Sequence, residues 1–475
     1  MLPLVLAAGK GKRMHSDLPK VLQPILDKPM LWYLLTTLED IFSAQALVVV
    51  GHGAQQVQSY LGLLDKDVVY QDKQMGTGHA LQVALPRIQG HGINWLLVLN
   101  GDTPFVPAGH IQDLVQHVRT QNHDMGFISL SLTDPGSYGR VLRGPEGEVQ
   151  AIIEARDFDP AQHGGFVHEV NSGLYVFNIN SLEKILYQLD TSNQQQELYI
   201  TQLVSLAHEN RMWVDAFNAG DCPELLGINT PAELLQQEEL KRRELINKLI
   251  SQGVFIRGKD NVRIGPEVDI EPGAEIVGPT EIYGQTRITA GSKINSHCYI
   301  QDSFVDRAEV LSFSHIVKSD IEKYTKIGPY ARLRPGTLMK NKSKAGNFVE
   351  IKNSTIGPGS KVNHLAYIGD TWIGESVNVG AGTITCNYDG RKKHETYIED
   401  QVFIGSNTSL VAPVRLEQGA LVGAGSVITK DVPRQSLGIA RAKQKNLEGK
   451  SPLNIDKTDV QSEQDGFNSK AGGKS

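Results

Sequence analysis

The sequence predicts an α/β domain of mainly parallel strands, then a long connecting helix, then a three-sided column of parallel strands. Three observations carry this prediction. Short aliphatic runs alternate with helix-compatible stretches in the first half, a charged stretch over 231–252 reads as one helix, and isoleucine recurs at every sixth position over 264–300. The alternation is typical of α/β folds. Neither an α-helix nor an open sheet repeats with a period of six residues.

The first domain is predicted from apolar segments of strand length, which are LPLVLAAG, ALVVVG, NWLLVLNGD and GFISLSL. Helix-compatible stretches separate them, as in a sheet built from parallel strands. The opening MLPLVLAA is interpreted as a buried strand, because no basic region precedes it and it runs directly into GKGKRM. We expect this domain to cover residues 1–229.

The connecting segment begins with a proline and ends at a glycine, and charged residues occur along its whole length. Proline is favoured at the first position of a helix and glycine just past its end, so a linker helix is predicted over 230–252. After about Asn446 the sequence is polar and aperiodic. A disordered tail is therefore predicted over 447–475.

The six-residue period predicts a triangular coil in which each flat face uses one hexapeptide. The aliphatic residue of each face points inward, and small residues in IGPEVD, IGPGSK and VGAGTI let the backbone bend at the corners. Successive turns would stack as parallel strands about 4.8 Å apart. The period slips near Asp306, and we expect loops that leave the column at 339–348 and 385–396. The column is assigned to residues 253–446.

Composition excludes several classes of protein. The 47 basic and 53 acidic side chains give a net charge of −6, which argues against a broad nucleic-acid-binding surface. No apolar run reaches the roughly 18 residues that a membrane span requires. Cys222, Cys298 and Cys386 lie far apart and form no CxxC pair, which favours a reducing compartment. We expect a cytoplasmic protein without nucleic-acid or membrane partners.

The first candidate site follows the first predicted strand, where LAAGKGKRM at 6–14 precedes Pro19 and Lys20. A glycine-rich turn after a buried strand exposes backbone N–H groups to phosphate, and Arg13 and Lys20 add positive charge there. The string resembles the pyrophosphorylase family of sugar-1-phosphate nucleotidyltransferases, in which this segment holds the nucleoside triphosphate. Lys12 stands where bacterial uridyltransferases commonly have threonine.

Further segments resemble the same family and follow in the family order: QDKQMGTGHA, NGD, YGR, IIEARD, VNSGLY and GINTPAEL. Asp102 ends an apolar strand, where a carboxylate suits a hard Mg²⁺ ion that bridges phosphates. The resemblance implies that Asn229 joins Asp102 on the metal. Asn100 replaces a tyrosine that related enzymes often have. The resemblance implies substrate contacts at Leu6, Ala7, Ala8, Gly9, Lys20, Gln71, Gly76, Thr77, Gly139, Glu154, Asn171 and Asn229.

The reaction that this resemblance implies is uridyl transfer. A sugar-1-phosphate oxygen attacks the α-phosphorus of UTP in line and pyrophosphate leaves. Arg13 and Lys20 are the expected catalytic cations, because together with Mg²⁺ they offset charge on the moving oxygens. No general base is proposed, since the phosphate nucleophile is already ionised.

The second candidate site lies around the broken repeats, at RLRPG, GNFVEIKNS, VNHLAYIGD, VNVGAGTITCNYDG, FIGSN, VGAGSV and GIARAK. This succession resembles the glucosamine-1-phosphate acetyltransferases among the hexapeptide-repeat acyltransferases. Taken with the first half, it resembles the bifunctional GlmU family over roughly residues 2–446. The resemblance implies a Rossmann-like nucleotidyltransferase domain, a left-handed parallel β-helix and a homotrimer.

Within this site the resemblance implies that His364 is the catalytic base. An amine attacks a thioester only as the free base, so a neutral imidazole beside it is chemically apt. Arg334 and Lys352 would grip the sugar phosphate, and Tyr367 and Asn378 would contact the sugar. Small residues would let acetyl-CoA lie close along the column, with an arginine to pair its phosphate. The implied contacts are Ala381, Asn387, Tyr388, Ser406, Ala424 and Arg441.

Three hypotheses follow for the function. In the leading one, acetyl-CoA converts glucosamine-1-phosphate to N-acetylglucosamine-1-phosphate, and UTP then gives UDP-N-acetylglucosamine and pyrophosphate. In the second, the chain catalyses nucleotidyl transfer alone and the β-helix is a trimerisation column. In the third, the column holds a zinc site that resembles the γ-class carbonic anhydrases and uses His297, His315 or His364.

Overall fold

A computed structural model describes residues 1–451, which fall into two compact units, Met1–Pro335 and the residues from Gly336 onward. The tail predicted over 447–475 lies outside the described residues except for its first five positions. Within 1–451, every helix is too short or too polar to cross a bilayer.

The first unit opens with an α/β domain and the helix that follows it. The helices are α1 (Met30–Phe42), α2 (Ala54–Leu61), α3 (Thr77–Gln89), α4 (Ala108–Thr120), α5 (Ile179–Ile185), α6 (Gln202–Glu209) and α7 (Pro231–Ser251). The strands are β1 (Leu2–Ala7), β2 (Pro24–Ile25), β3 (Lys28–Pro29), β4 (Leu47–Val50), β5 (Val68–Tyr70), β6 (Trp95–Asn100), β7 (Met125–Ser131), β8 (Arg140–Arg143), β9 (Val149–Ile153), β10 (Glu169–Asn178) and β11 (Val214–Asn218).

The main sheet has the order β11-β7-β10-β6-β1-β4-β5. β10 is antiparallel to β6 and β7, whereas the other neighbours on this path are parallel. Side chains alternate between two buried layers: Leu4 packs with α3, α5 and α6, and Val5 packs with α1, α2 and α4. The sheet is therefore covered on both faces, which explains its nearly continuous apolar strands. Because β1, β4 and β6 are parallel, their carboxyl ends meet at one edge.

The predicted linker helix is α7, and its first turn explains where it begins. Thr230 accepts a hydrogen bond from the Glu233 amide, and the Glu233 carboxylate accepts one from the Thr230 amide. This reciprocal capping satisfies amides that the helix leaves unpaired, and Pro231 has no amide to satisfy.

The column begins within the first unit. Its strands there are β12 (Phe255–Arg257), β13 (Val262–Ile264), β14 (Asp269–Ile270), β15 (Glu275–Val277), β16 (Thr280–Tyr283), β17 (Arg287–Ile288), β18 (Lys293–Ile294), β19 (Cys298–Gln301), β20 (Phe304–Val305), β21 (Glu309–Val310), β22 (His315–Val317), β23 (Ser319–Ile321), β24 (Lys326–Ile327) and β25 (Arg332–Leu333). From β12 to β22, each strand pairs in parallel with the third strand after it, which gives a three-sided coil.

The isoleucine ladder fills the interior of this coil. Ile264 pairs with Ile282 and Ile282 with Ile300, so one turn takes eighteen residues, as predicted. All three side chains are buried. The slip near Asp306 has a simple cause: Val305 and Val310 are also fully buried, and each lies five rather than six positions after the previous core residue.

Replacing Ile282 by alanine (Ile282→Ala) is expected to lower the free energy of unfolding by about 2–5 kcal/mol, since it leaves a cavity inside the rigid coil. Glu281→Ala in the same strand is the control, because Glu281 is exposed. Urea denaturation measures both variants. Equal losses in the two would contradict the placement of Ile282 in the core.

The second unit contains strands of the same kind. They are β26 (Thr337–Met339), β27 (Lys344–Asn347), β28 (Glu350–Lys352), β29 (Thr355–Ile356), β30 (Lys361–His364), β31 (Tyr367–Gly369), β32 (Thr371–Ile373), β33 (Asn378–Val379), β34 (Ile384–Cys386), β35 (Thr396–Ile398), β36 (Phe403–Ile404), β37 (Ser409–Val411), β38 (Val414–Leu416), β39 (Leu421–Val422), β40 (Val427–Ile428) and β41 (Leu437–Gly438). Pairing again links every third strand up to β40.

The two predicted loops have different outcomes. The loop predicted over 339–348 is wrong, because β27 lies within it and pairs with β30. Met339 and Ala345 are fully buried, so the six-residue period continues there with residues that are not branched aliphatics. The second loop is confirmed for residues 387–395, which connect β34 to β35 outside the ladders.

Candidate active sites

The predicted phosphate loop leaves the carboxyl end of β1. Leu6 and Ala7 end the strand, and Ala8 and Gly9 follow it into the turn. Gly11 has φ of 58°, and a Cβ there would lie 2.6 Å from Cβ of Lys20. Glycine therefore allows the stem of Lys20 to pack directly against the loop.

Four predicted residues from distant parts of the first unit meet beside this loop. Lys20 Nζ lies 2.5 Å from Asp102 Oδ2 and 2.8 Å from Asn229 Oδ1, and Arg13 donates to the same Asn229 oxygen at 2.7 Å. Lys20 is only 9 % exposed. Asp102 follows β6 and Asn229 precedes α7, so the parallel sheet edge and the linker helix build the cluster together.

The oxygens of Asp102 and Asn229 fit the expected magnesium ion. Both point at one cation, the Lys20 ammonium group. Carboxylate and amide oxygens are the ligands that Mg²⁺ takes, usually one or two from the protein with waters and phosphates completing the shell. The residues present thus have the chemistry of a magnesium site that opens toward the phosphate loop.

A second predicted group lies at the start of α3. Gln71 is almost fully buried; its amide nitrogen donates to the Gly76 carbonyl at 3.0 Å and lies 3.0 Å from Nδ1 of His79. Thr77 Oγ1 accepts a hydrogen bond from the Ile200 amide at 3.0 Å. The structure therefore brings Gln71, Gly76 and Thr77 together. It adds His79, which belongs to the QDKQMGTGHA segment but was not among the predicted contacts.

The predicted sugar and ribose contacts converge around β8 to β10. The Asn171 amide donates to the Gly139 carbonyl at 2.9 Å, and a Cβ on Gly139 would lie 3.8 Å from the Glu154 carboxyl carbon. Burial raises the pKa of Glu154, and the Thr201 hydroxyl donates to its carboxylate at 2.9 Å. Asn171 donates to the Tyr175 hydroxyl at 2.6 Å. Sequence analysis missed Thr201, which no motif marks, and Tyr175.

The predicted base of the second unit, His364, ends β30 and is exposed. Its Nδ1 lies 2.6 Å from the amide oxygen of Asn347, which occupies the register position one coil earlier. A carbonyl oxygen can only accept, so this contact assigns the proton to Nδ1 and leaves the Nε2 lone pair free to take a proton. Asn347 was missed, because this coil takes seventeen residues and not the eighteen that the sequence period predicts.

Lys352 is held by a polar cluster in the same unit. Its Nζ lies 3.5 Å from Asp370, which also accepts from the Asn353 and Asn387 side-chain amides at 2.7 and 2.5 Å. Burial would raise the pKa of Asp370, but these hydrogen bonds and the Lys352 charge outweigh it, so the pKa is lowered. Lys352 also lowers the pKa of nearby Lys393. Asp370 is the residue that sequence analysis missed here.

The remaining predicted sugar contacts occupy separate places. Tyr367 begins β31, whose Gly369 pairs with Lys352, and a Cβ on Gly369 would lie 2.6 Å from the Tyr367 hydroxyl. Asn378 begins β33 and pairs with Lys361 of β30. Arg334 belongs to the first unit, is half-buried, and its carbonyl accepts a hydrogen bond from Ser319 Oγ at 3.2 Å.

Three of the six predicted CoA residues follow one edge of the column, and a fourth contacts it. Val362, Val379, Ile404 and Val422 pair in successive ladders. Two positions after each of them stand His364, Ala381, Ser406 and Ala424, so a path of small residues leads away from the histidine. Arg441 donates to the Ala424 carbonyl at 2.8 Å.

Two predicted CoA contacts lie in or beside the 387–395 loop instead of on that edge. Asn387 is 7 % exposed and donates to Asp370, and Tyr388 is 61 % exposed. Their roles as CoA contacts stay predictions.

The zinc hypothesis for the column gains no support from the described residues. His297 stacks on Phe313 with ring centroids 4.6 Å apart, and His315 stacks on Tyr299 at 4.7 Å. Burial lowers the pKa of His315. Within 1–451, no three-ligand group of metal-binding type includes His297, His315 or His364.

Comparisons with known proteins support the same division of the chain. Residues 3–135 match the MobA-like NTP transferase domain, and residues 396–430 match the hexapeptide repeat of succinyl-transferase. Bifunctional protein GlmU of Oleidesulfovibrio alaskensis is 48 % identical over 94 % of this chain and 96 % of its own. GlmU of Nitratidesulfovibrio vulgaris Hildenborough is 47 % identical (94 % and 97 % covered), and that of Lawsonia intracellularis is 44 % identical (94 % and 97 % covered).

The chain belongs to the bifunctional GlmU family. It is a transferase with uridyltransferase and acetyltransferase activity, which confirms the leading hypothesis. Its column is the left-handed parallel β-helix of hexapeptide-repeat proteins, and its first domain has the Rossmann-like nucleotidyltransferase fold. The individual residue roles within this GlmU framework stay predictions.

In this member of the GlmU family, Asp370→Asn is expected to lower the free energy of unfolding at pH 7 by about 3 kcal/mol, because it removes the buried counter-ion of Lys352. The folded state lowers the pKa of Asp370, so the ionised carboxylate stabilises the fold at any pH above its unfolded pKa of about 3.9. This stabilisation is lost as the pH falls below that value and the carboxylate is protonated. The difference from the parent protein should therefore shrink below about pH 4. Denaturant titrations at several pH values measure it.

The matched control is Glu375→Gln, which also neutralises one carboxylate but at an exposed position of the same unit. We expect almost no change in stability there. A loss at Asp370 that is independent of pH would contradict the ionic role of that carboxylate.

Proposed function

We propose that this chain makes UDP-N-acetylglucosamine at two separate sites. The acetyl group of acetyl-CoA is first transferred to glucosamine-1-phosphate, and the product then reacts with UTP, with loss of pyrophosphate. One observation carries the proposal: a single chain of the GlmU family has both the Lys20–Asp102–Asn229 cluster and a histidine base beside a path of small residues.

In the uridyl step, the phosphate oxygen of N-acetylglucosamine-1-phosphate attacks the α-phosphorus of UTP, and the bond to pyrophosphate breaks. Arg13 and Lys20 orient the triphosphate and offset negative charge on the oxygens that gain it. Asp102 and Asn229 would hold Mg²⁺, which when bound neutralises phosphate charge. Gln71, Gly76 and Thr77 bind the base, and Gly139, Glu154 and Asn171 bind the sugars.

In the acetyl step, Nε2 of His364 takes a proton from the amino group of the sugar. The amine attacks the thioester carbonyl, the C–S bond breaks, and the leaving sulfur of CoA takes the proton from His364 and departs as a thiol. Asn347 fixes the tautomer that makes this possible. Arg334 and Lys352 bind the sugar phosphate, and Tyr367 and Asn378 bind the ring.

Acetyl-CoA is placed along the column edge beyond His364. Ala381, Ser406 and Ala424 leave room for the pantetheine arm, and Arg441 pairs with a phosphate. Asn387 and Tyr388 complete the contacts from the 387–395 loop.

The assembly we propose is a cytoplasmic homotrimer. Phe348 and Leu365, the neighbours of Asn347 and His364, are 57 % and 62 % exposed in the single chain. Large apolar side chains beside a reactive histidine suit an interface that a second copy covers. A solution mass three times that of the 52.1 kDa chain would support the trimer, and a monomer would contradict it.

The proposal is tested by assaying each half-reaction alone with the full chain. Glucosamine-1-phosphate and acetyl-CoA should release free thiol, and N-acetylglucosamine-1-phosphate with UTP and Mg²⁺ should release pyrophosphate. Pyrophosphate release without any sugar-dependent thiol release would instead favour the second hypothesis, in which the column only holds the trimer together.

A further inference from the structure

A cluster of metal-binding side chains lies away from both sites described above. Within 1–451, His117, His123 and Asp215 bring one potential ligand atom each to within 4.8 Å of the others. Nε2 of His117 is 2.7 Å from Oδ2 of Asp215, and Nδ1 of His123 is 4.0 Å from the same oxygen. Three potential metal-ligand atoms from separate parts of the domain therefore lie close together.

The end of α4 explains how the two histidines come together. Asn122 has a left-handed conformation with φ of 52°, and the His123 amide donates to the Val118 carbonyl at 3.0 Å. This helix-terminating turn folds His123 back beside the last turn of α4, where His117 lies. The ring of Trp213 stacks on His123 with centroids 6.2 Å apart.

The cluster contains an unsatisfied group. Nδ1 of His123 is buried and has no hydrogen-bond partner, although buried polar atoms in folded proteins nearly always have one. It faces the Asp215 carboxylate at a distance too long for a hydrogen bond. A cation between these atoms would satisfy the nitrogen and the carboxylate together.

We propose that His117, His123 and Asp215 bind a zinc ion. Two imidazole nitrogens and one carboxylate oxygen form a ligand set that zinc takes readily, with water as a fourth ligand. Tetrahedral zinc holds its ligand atoms about 3.4 Å apart. Two of the ligand pairs here are separated by 2.7 and 4.0 Å, and all three atoms lie within 4.8 Å of one another. His117 and Asp215 are 39 % and 38 % exposed, which leaves water access.

The proposed site is separate from the magnesium ligands. Asp215 stands at the amino end of β11 and His123 just before β7, whereas Asp102 follows the carboxyl end of β6. β11 and β7 are parallel, and β10 is antiparallel to both β7 and β6, so β6, β7 and β11 all run in the same direction. The zinc ligands therefore lie at the amino ends of these strands, and Asp102 lies at their carboxyl ends. The zinc ion would pin the end of α4 to the edge strand β11.

Zinc binding to the full, tag-free chain tests this proposal. Chelator-treated protein is titrated with Zn²⁺ by calorimetry in excess Mg²⁺, which keeps the hard-oxygen site filled. We expect one zinc ion per chain and a higher melting temperature with zinc, because a ligand that binds only the folded state stabilises it. His123→Ala and Asp215→Asn should each weaken binding at least tenfold and abolish the rise in melting temperature.

His91→Ala is the matched control, since His91 is exposed in the same domain and should leave binding unchanged. Asp215→Asn retains the shape of the side chain, so it guards against misfolding of the alanine variant. The absence of stoichiometric zinc binding, or equal binding by the parent and both cluster variants, would overturn the proposal. Neither transferase activity enters this test, so its outcome is independent of the proposed function.

Discussion

Asp102→Ala is expected to lower kcat/KM for uridyl transfer by about 10²–10³, a loss typical of removing one electrostatic group from a transition state. The substitution takes away the carboxylate that lies 2.5 Å from Lys20 and leaves Asn229 as the one remaining oxygen ligand of the pair. Phosphate charge in the transition state would then be less well neutralised. Pyrophosphate release from UTP and N-acetylglucosamine-1-phosphate measures the effect.

Acetyl transfer by the same variant should be unchanged, because Asp102 belongs to the Lys20–Asp102–Asn229 cluster of the uridyl-transfer site. Asp113→Ala provides the control for removing a carboxylate, as Asp113 is exposed on α4. Full uridyl transfer by Asp102→Ala, or loss of both activities from a folded protein, would contradict its assignment.

His364→Ala should show the converse pattern, with acetyl transfer lowered about 10²- to 10⁴-fold, the usual contribution of a general base. Among the residues of the path, which are His364, Ala381, Ser406 and Ala424, only His364 has a side chain basic enough to take the proton of the amine. Asn347→Ala should cause a smaller loss, since it removes only the contact that orients the imidazole. Thiol release from acetyl-CoA measures both variants.

Uridyl transfer by His364→Ala should match the parent. His297→Ala is the control within the β-helix, because His297 is also exposed but stacks on Phe313. If His364→Ala retained as much acetyl transfer as His297→Ala, another group would have to be the base.

The fold was largely predictable because its core repeats. Ile264, Ile282 and Ile300 occupy equivalent places in successive turns, so each confirms the phase of the others. The prediction of the repeat failed at Ala345, because a small residue occupies a core position where a large aliphatic residue was expected. A ladder defined by residue type loses its phase wherever a small residue occupies a core position or a face has five residues.

The sites were predictable to the extent that their residues lie in segments typical of the family. Lys20, Asp102 and Asn229 were expected to cooperate, and they are in direct contact. Thr201 was not predictable, because its contact with Glu154 depends on how α6 packs and no periodicity relates the two. The unequal length of coils likewise hides pairs such as Asn347 and His364.

The central claim is that one chain acetylates the amino sugar before it transfers the uridyl group. The most direct test gives the full chain glucosamine-1-phosphate, acetyl-CoA, UTP and Mg²⁺ in one vessel and follows thiol and pyrophosphate together. The account predicts equal final amounts of the two, pyrophosphate lagging behind thiol, and little of either when acetyl-CoA is omitted. Pyrophosphate formed at the full rate without acetyl-CoA, or thiol formed without pyrophosphate, would contradict it.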